Sequence, residues 1–313
     1  MTDNKPTLSL PKRFAPAARA LTLLGLGAAI AVTGYNQLLQ KERELLFRIV
    51  PGTASWFNGL PEGVVEANLP VPGAEKTEHL HSWWWPAARP DAPALLYLHG
   101  ARWNLTGQAF RIEQLHAFGF SVLAIDYRGF GQSDGDLPSE KTVYQDAHVA
   151  WEHLAKLEPD PGKRYIYGHS LGGAIAIDLA ASLSAAADKS AGAAVSTIAA
   201  HGLIVESSFT SLVDIAKFLS HPMLPMKLLL SQKFDSIRKI AQVDMPVLIV
   251  HGTHDRYVPS HFSERLYAAA GHGGHRKRLL LVDGGNHNDS MRVGESDYRQ
   301  AFREVFGWTP DRV

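Results

Sequence analysis

The sequence contains no cysteine. Disulfides, thiolate metal sites and cysteine nucleophiles are therefore excluded, although a cysteine-free fold suits cytosol and periplasm alike. A surplus of one charge is also missing: Lys plus Arg and Asp plus Glu each total 31, for a formal charge of zero. With no basic excess to neutralise phosphates, nothing global points to nucleic acid. There is no convincing internal repeat. The alanine- and serine-rich stretch Ala181 to Ala200 is too short for a domain linker and reads as a helix end with its following loop. Long apolar runs are scarce as well. The strongest, Ala20 to Val32, has 13 residues, against the roughly 20 residues, at about 1.5 Å each, that a membrane span requires.

What is present is an ordinary globular composition, 45% hydrophobic and 20% charged over 313 residues. That is enough for one large α/β domain or two small ones. Residues 1–50 stand apart. Lys5, Lys12, Arg13 and Arg19 precede an uncharged stretch from Ala20 to Gln40. The leading expectation is a single N-terminal membrane anchor. The alternative is a cleaved signal segment, since a basic start, a short apolar core and Ala29-Ile30-Ala31 fit that plan, leaving a secreted or periplasmic protein. A soluble N-terminal helix is the third reading. Basic residues ahead of the segment slightly outnumber Lys41, Arg43 and Arg48 behind it, which predicts that the rest of the chain lies outside the cytoplasm.

From residue 51 onward strands alternate with helical stretches. Val64 to Leu69 and Leu80 to Trp85 read as an early antiparallel pair. Short apolar runs follow at Leu95 to Leu98, Ser121 to Ile125, Tyr165 to Tyr167, Leu203 to Val205, Val247 to Val250 and Leu279 to Val282. Such uninterrupted runs suit strands buried on both faces, as in a parallel sheet. Between them, Val143 to Leu157 sets Val143, Ala147, Ala150, Trp151 and Leu154 on one helical face, and Ala174 to Leu183 is almost wholly apolar. The alternation predicts an α/β fold with about eight mostly parallel strands covered by helices on both faces.

Open parallel sheets place their sites at the carboxyl ends of strands. Behind Tyr165-Ile166-Tyr167 stands Gly168-His169-Ser170-Leu171-Gly172-Gly173, a Gly-x-Ser-x-Gly between strand and helix. Glycines on either side let the strand and helix approach closely, and the serine emerges on a sharp turn at a helix N-terminus, where developing negative charge is favoured. A plain glycine-rich turn with a capping serine is the bland alternative. A serine hydroxyl needs a base. The chain has 15 histidines, so position must choose among them. The loop after Val250 holds His254 and Asp255, and the loop after Val282 holds Asp283, His287 and Asp289. Asp255 orients a histidine, and His287 takes the serine proton and returns it. Asp283, Asp289 and His254 are rivals in those loops. Asp126, His99 and His169 read as structural residues. The oxyanion formed on attack needs two backbone N–H groups. Leu171, after the nucleophile, supplies one; Ala101, in the loop His99-Gly100-Ala101-Arg102-Trp103, is favoured for the other, with Arg102 next. This chemistry calls for no cofactor and no metal.

Leu98-His99-Gly100, Asp126 to Ser133, Gly168 to Gly173, Gly252 to Asp255 and Gly285-Asn286-His287 together resemble the α/β-hydrolase superfamily, in its order and spacing, over about residues 60 to 308. The N-terminal apolar segment, Trp83-Trp84-Trp85-Pro86 and Glu206 to Ser211 are similar to a branch of small membrane-anchored hydrolases that includes protein depalmitoylases. One departure is Ala101-Arg102-Trp103, where that branch has Asn and then small residues; it implies a differently shaped acyl pocket. Residues 209–241 lack strand character and hold the position where the superfamily often carries a short cap. A helix burying its leucines on the sheet is the other reading. The resemblance implies a serine hydrolase of carboxylic esters or thioesters working on a small-molecule or lipid-like acyl substrate. A peptidase or amidase with the same residues, or a non-catalytic binding protein on the same fold, are the alternatives.

Overall fold

The structure, a computed structural model, describes residues 15–73, 77–189, 199–219, 225–271 and 275–310, with side chains from residue 31 onward apart from 188 and 189. The chain divides into two compact units, Met1–Glu42 and Arg43–Val313. The first consists, where described, of most of helix α1 (Ala15–Phe47). Among the described residues no helix is long and apolar enough to cross a membrane. The expected anchor Ala20 to Val32 falls within α1, where the side chains through residue 30 lie outside the described ones. Beyond Val32 the helix carries Asn36, Gln37 and Gln40 and then Lys41, Glu42, Arg43 and Glu44.

The second unit is built on one eight-stranded sheet: β1 (Val65–Val71), β2 (Glu78–Trp85), β3 (Ala94–Leu98), β4 (Ser121–Ile125), β5 (Arg164–His169), β6 (Gly202–Glu206), β7 (Val247–Gly252) and β8 (Lys277–Val282). Their order across the sheet is β1-β2-β4-β3-β5-β6-β7-β8. Strand β2 pairs antiparallel with both β1 and β4, and the remaining pairs are parallel. The expected early antiparallel pair is β1 and β2, and each anticipated apolar run lies within a strand.

Because successive residues of a strand face opposite sides, the runs split into two cores. Leu96, Leu98, Leu123, Ile166, Val205 and Ile249 join one; Leu95, Tyr97, Val122, Tyr167, Ile204 and Val250 join the other. Helices α2 (Leu105–Ala117), α3 (Glu140–Leu157) and α4 (Leu171–Lys189) occupy the crossovers. Helix α3 begins three residues before its first apolar position because Ser139 and Thr142 form a reciprocal capping box, with the Thr142 N–H donating to Ser139 Oγ at 3.2 Å and the Ser139 N–H to Thr142 Oγ1 at 2.8 Å. Val143, Ala147 and Trp151 of α3 and Ala174 and Ile177 of α4 bury against the first face, and Leu105, Ile112 and Leu115 of α2 against the second. Beyond β6 come the short helices α5 (Leu212–Leu219), α6 (Met226–Leu229) and α7 (Ser236–Ile240), and beyond β7 α8 (His261–Ala269), α9 (Ser290–Val293) and α10 (Glu295–Phe306).

The region anticipated as a cap, 209–241, contains helices α5 to α7. Leu228 is 84% exposed and Leu219 70%, so these leucines do not bury on the sheet. No described residue of the region lines the cavity around Ser170.

Candidate active site

The turn from β5 to α4 is set by backbone geometry. Ser170 has φ 56, in the left-handed region that side chains rarely adopt, at a typical cost of about 1–3 kcal/mol. Its N–H donates to Glu206 O at 2.9 Å, and its carbonyl accepts from Ser208 Oγ at 2.9 Å and from the Gly173 N–H at 3.0 Å. Two of the glycines are dictated by space. A Cβ on Gly168 would lie 2.2 Å from Gly172 O, and one on Gly172 would lie 2.0 Å from Leu98 O. Any larger residue would drive the strand and helix apart.

Asp255 and His287 meet across the ends of β7 and β8, with His287 Nδ1 2.7 Å from Asp255 Oδ2. The Asp255 side chain is fully buried and that of His287 is 13% exposed. The other carboxylate oxygen accepts from the N–H groups of Tyr257 at 2.8 Å and Val258 at 2.9 Å. Burial alone would raise the Asp255 pKa. Hydrogen bonds with His251 and His287, the nearby His287 charge and the Val258 N–H outweigh it and hold the carboxyl well below its usual range. An ionised carboxylate only accepts, so His287 Nδ1 carries the hydrogen and Nε2 keeps the lone pair a general base requires. His251, whose Nε2 lies 3.2 Å from Asp255 Oδ2, is saturated by Ser263 Oγ at 2.6 Å and Val258 O at 2.7 Å.

Ser170 and His287 line one cavity of about 240 Å³, together with Gly100, Ala101 and Trp103. The Ser170 hydroxyl makes no hydrogen bond among the described residues. The Asp255–His287 pair is thus joined while the side facing Ser170 is open, and in hydrolytic sites such a link commonly tightens only with substrate present. The loop after β3 abuts Ser170: a Cβ on Gly100 would stand 3.2 Å from Ser170 Cβ. Within this loop the Arg102 N–H is already spent on Phe47 O at 2.8 Å, which removes the second choice for an oxyanion donor. The Ala101 and Leu171 amides have no acceptor among the described residues; Leu171 opens α4, where the first N–H groups lack intrahelical partners.

The rival residues have other work. Asp289 accepts from the Asn286 backbone N–H at 2.7 Å and from its side chain at 2.8 Å, and Asp283 lies 3.3 Å from Thr253 Oγ1. His99 Nδ1 donates to Gly100 O at 2.7 Å. His169 Nε2 donates to the backbone carbonyl of His287 at 2.8 Å, and burial, with the positive charges of Arg111 and His287 nearby, holds its pKa well below the ordinary value. The residue beside Ser170 thus steadies the loop that carries His287.

A second brace lies beneath the site and escaped the sequence reading. Arg111 of α2 is fully buried, with Nη1 2.7 Å from Glu206 Oε2 and Nη2 donating to Asn288 O at 3.2 Å. Tyr167 OH also donates to Glu206. Through its backbone Glu206 accepts the Ser170 N–H; through its side chain and Arg111 it reaches the residue after His287. The available signals were an arginine among the apolar positions of α2 and a glutamate closing the run Leu203-Ile204-Val205.

Comparison with known proteins agrees with this architecture. Residues 90–237 match the family described as serine aminopeptidase, S33. An uncharacterized protein of Mycobacterium tuberculosis is 32% identical over 277 residues, covering 87% of this chain and 89% of that protein. The lysophosphatidylserine lipase ABHD12 of Danio rerio is 30% identical over 206 residues, covering 60% of this chain and half of its own length. Among solved structures, an alpha-beta hydrolase from Vibrio vulnificus superposes with a TM-score of 0.63 at 21% identity, covering 97% of this chain and 99% of its own. The Pyrococcus furiosus esterase Pf2001 gives 0.60 at 18% identity over 83% and 97%. With the sheet order, the serine turn and the extent of these matches in hand, the chain belongs to the α/β-hydrolase superfamily.

Proposed function

We propose that this hydrolase cleaves carboxylic esters or thioesters through an acyl-serine intermediate. The observation that carries the reading is the buried Asp255–His287 pair, joined at 2.7 Å and opening on the same cavity as the strained Ser170. Ser170 Oγ attacks the carbonyl carbon as its proton passes to His287 Nε2. Asp255 keeps the ring oriented and stabilises its cationic form. The Leu171 and Ala101 amides hold the oxyanion. Collapse expels the alcohol or thiol, which leaves with the proton held by His287. Water then attacks the acyl-serine, giving one proton to His287, and collapse breaks the bond to Ser170 Oγ as His287 returns that proton to it, releasing the carboxylic acid. The Danio rerio relative, named as a lysophosphatidylserine lipase, supports a lipid-like acyl substrate. The match to a serine aminopeptidase family favours amide cleavage as the second reading; turnover of aminoacyl amides against acyl esters decides between them.

The test is Ser170→Ala. Turnover of 4-nitrophenyl butyrate should fall by about 10³-fold or more, and labelling by a fluorophosphonate probe should vanish, while the circular dichroism spectrum stays that of the parent. Full activity in the variant removes Ser170 as the nucleophile.

A further inference from the structure

The cavity that holds Ser170 and His287 is also lined by two arginines, Arg48 and Arg102, and by no carboxylate. A short backbone ladder brings them together: the Arg102 N–H donates to Phe47 O at 2.8 Å, and the Val50 N–H donates to Arg102 O at 2.7 Å. Both residues sit in left-handed backbone, at φ 47 and φ 84, so the fold tolerates strain to keep non-glycine residues at these two positions. Neither guanidinium has an ion-pair or hydrogen-bond partner among the described residues, whereas Arg111, Arg128, Arg278, Arg292 and Arg299 each face a carboxylate.

The charges buried nearby do not offset this pair. Arg111 is matched by Glu206, and Asp255 is engaged by His251 and His287. Both arginines are exposed, and a cleft lined by one sign of charge attracts the opposite sign. An anion entering beside Ser170 gains charge-assisted hydrogen bonds from planar guanidinium groups, which suit carboxylate and phosphate alike. The cavity, of about 240 Å³, is smaller than the roughly 300–1,000 Å³ of pockets that engulf a drug-sized ligand, which suits a short ester carrying one such group.

Resting on the acyl-serine reading above, we infer that the substrate is an anionic ester, whose carboxylate or phosphate is bound by Arg48 and Arg102 beside the scissile carbonyl.

The experiment measures kcat/KM of the purified full chain on two matched pairs. Mono-4-nitrophenyl succinate against 4-nitrophenyl butyrate places the anion on the acyl side. Octanoyl lysophosphatidate against monooctanoylglycerol places it on the alcohol side. The wild type should favour the anionic member of one pair by about tenfold or more, the worth of one or two charge-assisted contacts; which pair it is identifies carboxylate or phosphate. In Arg48→Gln/Arg102→Gln that ratio should fall about tenfold, chiefly through KM, and Arg48→Lys/Arg102→Lys should restore part of it. Added salt should erode the preference in the wild type and not in the Gln variant. Calorimetric titration of Ser170→Ala with the preferred anionic ester supplies a readout free of turnover: binding should weaken when the arginines are replaced. A wild type indifferent to charge in both pairs, or a ratio unchanged in the double Gln variant, overturns the inference while leaving the hydrolase standing. Failure of all four esters together with failure of fluorophosphonate labelling identifies instead the collapse of the acyl-serine reading, and the inference falls with it.

Discussion

Two aspartates follow strands of the same sheet, each beside two imidazoles, and only one of them belongs to the proposed site. Asp126 follows β4, with His81 Nδ1 at 3.4 Å and His99 Nε2 at 3.7 Å. Asp255 lies in the loop after β7, with His251 Nε2 at 3.2 Å and His287 Nδ1 at 2.7 Å. Both carboxylates are essentially buried, so burial does not distinguish them. What differs is the far side of the imidazole. His81 turns its other nitrogen to Glu66 Oε1 at 2.9 Å, and His99 donates its own to Gly100 O. Of these four imidazoles, only that of His287 lines the cavity that Ser170 also lines. Asp126 is instead used as a staple, accepting the Leu105 N–H at 2.9 Å and, through its backbone carbonyl, the Ser133 hydroxyl at 2.6 Å. An acid–histidine contact at a strand end is therefore no more than half of a catalytic device.

Substitution at each aspartate sets this contrast against measurement. Asp255→Asn should lower kcat on 4-nitrophenyl butyrate by about 10³- to 10⁴-fold with little loss of folding, because the amide stabilises the wrong ring tautomer. A loss under tenfold would place Asp255 with Asp126 as a staple. Next in size is Arg111→Met, which leaves Glu206 buried without its counter-charge; urea unfolding should show a loss of about 3–5 kcal/mol. The Asp255–His287 pair survives this change, so residual activity at low temperature measures what the brace contributes to placing it. Asp126→Asn should cost about 1–3 kcal/mol of stability by depriving one buried donor and leave kcat within about threefold, since no step runs through it. An activity collapse in that variant, with stability intact, would break the distinction.

The smallest effect concerns pH. At His81 burial pulls the pKa down, but hydrogen bonds and charge from Asp126 and Glu66 more than offset it, leaving it above the ordinary 6.5. The folded protein then holds this proton more tightly than the unfolded chain. The resulting stabilisation is complete below pH 6.5 and is lost as pH rises through the elevated folded value. Glu66→Gln should flatten the decline of the urea midpoint above pH 6.5. A decline as steep as the wild type's would assign it to another group.

The fold was legible because buried parallel strands write themselves as short apolar runs, and all eight were visible. Their lateral order was not, since β4 inserting between β2 and β3 is decided by long-range pairing that no local pattern records. Ser170, Asp255 and His287 stood out as candidates because glycine-flanked loops at strand ends are local signals. Arg111 and Glu206 were obscure because their partnership spans 95 residues and reads locally as one charge in each of two apolar stretches. The choice between the Ala101 and Arg102 amides likewise turned on Phe47, more than fifty positions upstream.

The Glu206 strut carries a practical consequence. It ties the Ser170 turn to the loop that carries His287, whereas Arg48, Arg102 and Trp103 line the cavity itself. Under the proposed function, anchorage and selectivity are then assigned to different residues. A library varied only at Arg48, Arg102 and Trp103 should change the preferred ester while Glu206 and Arg111 keep Ser170 and His287 in place.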